Sequence, residues 1–322
     1  MIETVLKTQR QVFGETLVEL GRRDPRLVVL DADVSSSTQT RLFGEAFPDR
    51  FFNFGIAEAN MVSAAAGMSS CGLIPFVSTF ALFISLRAGE QVRAQVAATG
   101  LNVKLVGGYA GLSDFADGAS HQSVEDLAVM RAMPGMVVLA PSSALDTAAA
   151  VRAAFEHDGP VFLRISREAV TPEWGQADGF RIGRGARLRT GSDVTLVTTG
   201  TMLTMTMEAA EALGKEGVSA AVIHLPTLKP LDEPLLLSAA RTSGAIVTIE
   251  EHSVIGGLGS AVCEAVSESC PVPVFRCGIP DRFGESGGYR EILSRAGLDA
   301  ASVAQTAHRA ISLRRSRHAP DV

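Results

Sequence analysis

The chain has 322 residues, enough for about two domains that each bury a core. Its net charge of −6 at pH 7 and its sequence pI of about 5.6 argue against general affinity for nucleic acid. No apolar run approaches the ~20 residues that span a bilayer, the N-terminus lacks a signal-peptide pattern, and the four cysteines lack metal-ligand spacing. We expect a cytoplasmic protein with no nucleic-acid or membrane partner and no metal site of its own.

The first half of the chain alternates short apolar strands with helix-period stretches, which is typical of parallel βαβ units. The predicted strands are Leu27–Asp31, Phe51–Phe54, Ile74–Val77, Val103–Val106, Met136–Ala140 and Val161–Ile165. A glycine-rich stretch at 171–192 predicts a linker. The strands predicted after it are Val194–Thr198, Ala220–His224, Ala245–Glu250 and Val272–Arg276. The fold class is therefore α/β, with two domains at 1–170 and 193–322, each a mainly parallel sheet flanked by helices.

Glu58 stands where the second predicted strand ends and a helix of small residues begins. Strand-to-helix junctions of this kind are favoured places for ligand chemistry in open α/β sheets. The small residues that follow allow close packing, which would remove the carboxylate from water. Taken alone, the residue favours a plainer interpretation, a charge that complements the helix dipole.

Other polar residues follow neighbouring strands and would converge on the same sheet edge as Glu58. Asp31 and Asp33 follow the first strand, and the loop Gly107–Gln122 follows the fourth. This loop holds two carboxylates and one imidazole, and loops of this length are usually functional or disordered. The sequence therefore predicts a cluster of titratable side chains at one edge of the first sheet.

Two aromatic residues, Phe80 and Phe83, follow the third predicted strand and are expected on one helical face. Such a pair usually belongs to a core, but it would also offer a stacking surface for a planar ring beside Glu58. Farther along the chain, the glycine-rich run Gly256–Ser260 opens a predicted helix. Its backbone amides could bind an anion, and a plain helix start is equally consistent with the pattern.

These segments together resemble the C-terminal two-thirds of a transketolase, in which the pyrimidine-binding domain of a thiamine diphosphate enzyme precedes a smaller C-terminal domain. The resemblance covers essentially the whole chain. It rests on the order and spacing of Gly55–Glu58, Ser78–Phe80 with Phe83, Asp117–Gln122, Met130–Gly135 and Leu163–Arg167.

The resemblance implies how the chain would hold thiamine diphosphate. Glu58 matches the catalytic glutamate that bonds N1′ of the cofactor's aminopyrimidine. Phe80 and Phe83 match the aromatics that pack against that ring. Leu86 departs from the family, because a tyrosine often completes the pyrimidine pocket at this position.

The resemblance also implies a substrate site. His121, with a catalytic role, and Asp117 match residues that contact the hydroxyls of the donor sugar. The positions that match the binding site for the substrate's phosphate are Arg10, Ser37 and Arg167. Tyr109 lies in the same site and is a departure, since transketolases usually carry a histidine there.

One family element is missing from the sequence. Family members hold the cofactor's diphosphate and a divalent metal ion through a Gly-Asp-Gly motif followed by an asparagine, and this chain has no Gly-Asp-Gly. The resemblance therefore implies the C-terminal subunit of a split transketolase. A shorter N-terminal subunit would bind the diphosphate and a Mg or Ca ion, and an α2β2 assembly would share thiamine diphosphate between subunits.

The implied activity is transfer of a two-carbon ketol unit from a phosphorylated ketose to an aldose. A deoxyxylulose-phosphate-synthase-like condensation and the β-subunit of a 2-oxo-acid dehydrogenase stay open as alternatives. A third alternative is a non-catalytic interaction subunit.

Overall fold

The computed structural model describes residues 7–167 and 179–317. Its strands are β1 Leu27–Asp31, β2 Phe51–Asn53, β3 Ile74–Phe80, β4 Lys104–Gly108, β5 Val137–Leu139, β6 Val161–Arg164, β7 Ala186–Arg189, β8 Val194–Thr198, β9 Ala220–His224, β10 Thr227–Lys229, β11 Ile246–Ser253 and β12 Val274–Ile279. Its α-helices are α1 Gln9–Arg23, α2 Ser35–Thr38, α3 Arg41–Ala46, α4 Glu58–Ser70, α5 Gly89–Gln91, α6 Asp126–Ala132, α7 Ala144–Glu156, α8 Leu203–Lys215, α9 Glu233–Ser243, α10 Leu258–Ser269, α11 Tyr289–Arg295 and α12 Ala300–Arg317. Two π-helical segments, Phe83–Arg87 and Val92–Ala97, flank α5.

The sheet of the first domain has the strand order β10-β5-β6-β4-β3-β1-β2 and is parallel except for β10. Every residue of β1, β3, β4 and β6 is buried, as expected when helices cover both faces of a parallel sheet. Helices α1 and α7 contribute Phe13, Leu17 and Val151 to the core on one face. Helices α4 and α6 contribute Met61 and Leu127 to the core on the other.

The second domain is a smaller sheet with the order β12-β11-β8-β9-β7, parallel except for β7. Together the two sheets confirm the predicted α/β class with two mainly parallel domains. Strand β7 lies inside the segment predicted as a linker and pairs antiparallel with β9. The part of that segment from 171 to 178 lies outside the described residues.

The two domains are joined by shared structure. Strand β10 follows β9 in the chain but pairs antiparallel with β5 of the first sheet. One cluster of buried apolar side chains extends from Met61 and Leu127 of the first domain to Leu236 and Val262 of the second. Because a sheet and a core cross the boundary, the domains pack as one unit.

The glycine-rich run at the start of α10 binds an internal anion. The Glu250 carboxylate accepts hydrogen bonds from the backbone N–H groups of Leu258 and Gly259, at 2.6 and 2.8 Å. Burial raises the pKa of Glu250 to about 7, and the two backbone donors oppose that rise. The protein's own carboxylate therefore fills this helix start, which corrects the interpretation as a ligand site.

No helix in the two described ranges combines the length and the hydropathy needed to cross a bilayer.

Candidate active site

The carboxyl ends of the parallel strands β1, β3, β4 and β6 lie at one edge of the first sheet. Glu58 is the first residue of α4, which packs against β1 and β3. Its side chain is 2 % exposed. One carboxylate oxygen, Oε1, accepts a hydrogen bond from Arg87 Nη1 at 2.8 Å. The other, Oε2, is buried and has no hydrogen-bond partner among the described residues. A buried acceptor without a donor is costly, so the site fits a ligand that brings a polar hydrogen or a shared proton to Oε2.

A stack of aromatic rings lies beside this carboxylate. The ring of Phe80 lies 5.8 Å from that of Phe83 and 4.4 Å from that of Tyr109, centroid to centroid, at interplanar angles of 21° and 17°. Phe80 ends β3 and Phe83 begins the π-helical segment, so the expected shared helical face is wrong. The strand extends to Phe80 because Thr79 and Phe80 pair with Gly107 and Gly108 of β4.

Arg87 joins the carboxylate to the rings. Its guanidinium carbon lies 4.1 Å from the centroid of Phe83 while its Nη1 bonds Glu58. The flat Arg87 guanidinium thus stacks on Phe83 and bonds Glu58 at the same time. A planar nitrogen heterocycle bound here would need the same two contacts. The sequence pattern did not indicate Arg87, although Phe83 and Arg87 are four residues apart and neighbouring on a helical turn.

Gly107 and Gly108 of the predicted loop belong to β4, so the loop itself runs from Tyr109 to Gln122. This segment, which we call the active-site loop, brings an imidazole to the same rings. The ring of His121 meets Phe83 and Phe80 edge-on, with centroids 5.4 and 6.1 Å away. Its Nδ1 lies 2.9 Å from Ser120 Oγ. Asp117 precedes the 3-10 turn Gly118–Ser120 in this loop. Its side chain is exposed and lies close to the Asp114 carboxyl, so of the two predicted sugar ligands only His121 contacts the aromatic stack.

Two guanidinium groups flank Tyr109 at the far end of the stack. Arg10 Nη1 donates to Tyr109 Oη and to the backbone oxygen of Ser37, both at 3.1 Å. The Cζ atoms of Arg167 and Arg10 lie 5.1 and 5.8 Å from the Tyr109 centroid. Tyr109 has a φ of 55°, a left-handed conformation that is strained in a bulky residue. The pair of cations offers a site for an anionic group.

A buried carboxylate, which the sequence did not single out, holds one of these cations. Asp114 Oδ1 accepts from Arg167 Nη1 at 3.1 Å, and its side chain is fully buried. Burial and, to a smaller extent, the neighbouring Asp117 raise the pKa of Asp114 to about 6, although Arg167 and His121 oppose the rise. Glu58, the aromatic stack, His121 and the two cations thus form one connected site, to which Ser37 contributes a backbone oxygen.

Within residues 7–167 and 179–317 no group of three or more His, Cys, Asp or Glu side chains could hold a metal ion.

A buried carboxylate beside stacked rings, at the carboxyl edge of a parallel sheet, is the arrangement expected of a pyrimidine-binding domain of thiamine diphosphate enzymes. Residues 7–172 match the family model "Transketolase, pyrimidine binding domain", and residues 183–303 match "Transketolase, C-terminal domain". The chain belongs to the thiamine diphosphate-dependent transketolase family. Within that family it corresponds to the C-terminal section of a split transketolase.

Relatives support this assignment over nearly their whole lengths. A "Putative transketolase C-terminal section" of Methanocaldococcus jannaschii is 44% identical over 304 residues, 94% of this chain and 95% of the relative. A 6-deoxy-6-sulfo-D-fructose transketolase subunit of a Clostridium species is 40% identical over 93% of each chain. A solved structure described as "Split gene transketolase, inactive beta4 tetramer" has a TM-score of 0.89 and 48% identity, covering 95% of this chain and 99% of that one.

A longer relative matches over part of its length. The 1-deoxy-D-xylulose-5-phosphate synthase of Symbiobacterium thermophilum is 40% identical to this chain over 310 residues. That match covers 93% of this chain and 46% of the synthase.

Proposed function

We propose that this chain supplies the pyrimidine side of a transketolase active site. The assembled enzyme would transfer a two-carbon ketol unit from a phosphorylated ketose to an aldose acceptor. The observation that carries the proposal is the unpartnered oxygen Oε2 of Glu58, buried beside the rings of Phe80 and Phe83. Thiamine diphosphate, when bound, supplies a nucleophilic carbon that amino-acid side chains cannot provide.

The residues of this chain then have distinct tasks toward cofactor and sugar. Glu58 Oε2 holds a proton at N1′ of the aminopyrimidine, and burial keeps competing water away from that proton. Phe80 and Phe83 pack against the ring. His121 and Asp117 bind the hydroxyls of the donor, and His121 also exchanges protons with them during catalysis.

The guanidinium groups of Arg10 and Arg167 bind the anionic end of the donor, and the hydroxyls of Tyr109 and Ser37 donate hydrogen bonds to it. Two guanidinium groups recognise the charge and the oxygens of a tetrahedral anion, and they do not distinguish one sugar from another. The name of the Clostridium relative refers to a sulfonated sugar, which carries a comparable anionic end.

The other half of the active site would come from a partner subunit. Ile56 lies two residues before Glu58, and Leu86 lies next to Arg87, the residue that bonds Glu58. Both are large apolar side chains, and they are 76% and 49% exposed. Phe52 on the edge strand β2 is also exposed, at 36%. Apolar side chains around a buried carboxylate suit a docking surface. We propose that a shorter N-terminal subunit binds there, holds the diphosphate and a Mg or Ca ion, and forms an α2β2 enzyme of cytoplasmic carbohydrate metabolism.

The anion site can be tested with the substitution Arg10→Met in the assembled enzyme. We expect KM for a phosphorylated ketose donor to rise about tenfold or more, because a charged hydrogen-bond donor is lost. KM for the same ketose without phosphate should not change. Arg22→Met, an exposed position on the same helix, is the matched control. An equal rise in KM for both donors would contradict an anion-binding role for Arg10.

The raised pKa of Asp114 predicts a pH dependence of donor binding. Above about pH 6 the carboxylate is charged and holds Arg167, and as the pH falls through 6 it gains a proton and the ion pair is lost. KM for the phosphorylated donor should therefore rise as the pH is lowered from 7.5 to 5.5. Asp114→Asn should start with a higher KM and show a smaller rise.

The phosphate of the donor titrates in the same range, with a pKa of about 6, but it does so equally in both enzymes. The difference between the two KM profiles therefore isolates Asp114. Parallel profiles for wild type and Asp114→Asn would show that Asp114 does not control Arg167.

A second candidate reaction is a synthase-type condensation, which the 40% identity to a deoxyxylulose-phosphate synthase favours. The assembled enzyme, supplied with an aldose acceptor, should be offered a ketose phosphate and, separately, pyruvate. Transketolase activity predicts a donor shortened by two carbons and an acceptor lengthened by two, with no reaction of pyruvate. Release of CO₂ from pyruvate would instead support the synthase or a 2-oxo-acid dehydrogenase. Absence of any reaction would support a non-catalytic subunit.

A further inference from the structure

The second domain holds the active-site loop of the first. Side chains of Leu112 and Val124, which lie within and just after the loop, belong to the apolar core of the second domain. The backbone N–H of Gly287 donates to the carbonyl of Phe115 at 3.0 Å. Gln122 Nε2 donates to the backbone oxygen of Glu285, also at 3.0 Å. The segment that carries Asp117 and His121 is thus anchored on both sides by residues distant in sequence.

The centre of this anchorage is the carboxylate of Glu251 in β11. Its Oε1 accepts from the backbone N–H of Leu112 at 2.7 Å. Its Oε2 accepts from Tyr289 Oη at 2.8 Å and from Thr201 Oγ1 at 3.1 Å. Both carboxylate oxygens are therefore used, and the side chain is 3 % exposed. A buried and fully bonded carboxylate fixes its partners firmly because every broken bond leaves a buried group unpaired.

The loop backbone is shaped to admit this carboxylate. Gly111 has a φ of 65°, and a Cβ there would lie 2.7 Å from Glu251 Oε1. Only glycine combines that conformation with such a close approach. Glu251 also reaches the strand beside the loop, because its backbone oxygen accepts from Arg164 Nη2 at 2.8 Å. Arg164 lies three residues before Arg167, so one residue contacts both segments that carry candidate substrate ligands.

We propose that Glu251 and Tyr289 are positioning residues that hold the active-site loop in the shape that binds the donor. Glu251 fixes the loop at Leu112, and Tyr289 fixes Glu251. Tyr289 also packs its ring 6.0 Å from that of Phe115, inside the loop. The second domain thereby raises the affinity for the donor, although its residues do not contact the reacting atoms. The anchorage is a property of this chain, and only its effect on the donor rests on the proposed function.

The test measures amide hydrogen exchange in the purified chain and steady-state kinetics in the assembled enzyme. In Glu251→Ala the Leu112 amide loses its acceptor, so we expect it and the loop around it to exchange about tenfold faster or more. Glu251→Gln keeps an acceptor for Leu112 and should restore most of the protection. Tyr289→Phe, which removes one hydroxyl and preserves the ring, should give an intermediate loss.

In the assembled enzyme Glu251→Ala and Tyr289→Phe should raise KM for the donor, by about tenfold for the alanine variant, while kcat changes by less than about twofold. Thr195→Val is the control, since it removes a buried hydrogen bond to Ser243 elsewhere in the second domain. Unaltered exchange of the loop in Glu251→Ala, or in Tyr289→Phe if the alanine variant does not fold, would overturn the proposal. The proposal would also be overturned if kcat fell and KM rose to the same extent in the control variant and in the test variants. The exchange result stands whatever reaction the enzyme catalyses, so it separates this proposal from the proposed function.

Discussion

Glu58→Gln is expected to lower kcat of the assembled enzyme by about 10³-fold, within the range that one positioned proton-transfer group contributes. Glutamine has nearly the size of glutamate, and its oxygen can still accept from Arg87, so packing at the start of α4 should persist. The amide cannot, however, hold or release the proton that we propose Oε2 shares with the cofactor. We therefore expect the substitution to abolish proton transfer at this position without changing the fold.

The measurement compares kcat with two structural readouts, namely assembly by size-exclusion chromatography and thiamine diphosphate affinity by calorimetry. Assembly should match wild type, and the affinity should fall only modestly. Glu90→Gln is the matched control, because Glu90 is an exposed glutamate on α5, close in sequence to Arg87. An unchanged kcat in Glu58→Gln would support a non-catalytic subunit.

Much of the fold was predictable because parallel strands covered on both faces are continuous apolar runs. The strands at Leu27–Asp31 and Val194–Thr198 agree with the predicted bounds. Strands β7 and β10 were not predicted, because each is a short edge strand whose pairing depends on a partner far away in the chain. The extension of β3 to Phe80 likewise depends on its pairing with β4.

The site was predictable where residues are close in sequence to a strand end. Glu58, Phe83 and His121 each follow a strand of the first sheet, so the topology alone brings them together. Glu251 could not be found in this way, since it bonds a backbone amide 139 residues earlier in the chain. Residues that act across the domain boundary carry no local pattern, and only the packed structure identifies them.

Glu250 shows why a glycine-rich helix start was ambiguous in sequence. Free amide groups at such a start favour an anion of any origin. Here the anion is Glu250 of the preceding strand, which accepts hydrogen bonds from these amide groups. The sequence alone does not show whether such a helix start binds a side chain of the protein or a ligand.

The second large effect that we expect is the dependence of activity on the shorter N-terminal subunit. The chain presents the buried carboxylate and the aromatic stack, while its sequence lacks the Gly-Asp-Gly motif through which the family holds diphosphate and metal. A diphosphate carries about three charges and a helix end offers only about half of one, so the proposed function requires a second, metal-bearing surface. We therefore expect the purified chain to have no two-carbon transferase activity, however much cofactor is added.

The most direct measurement of this claim assays two-carbon transfer from a ketose phosphate with thiamine diphosphate and magnesium, first with the purified chain and then with increasing amounts of the shorter subunit. Activity should be absent at first and should rise until the two subunits are equimolar. The same titration with Glu58→Gln should assemble to the same endpoint without comparable activity. Robust turnover by the chain alone would contradict the account, because it would mean that one chain holds the whole active site.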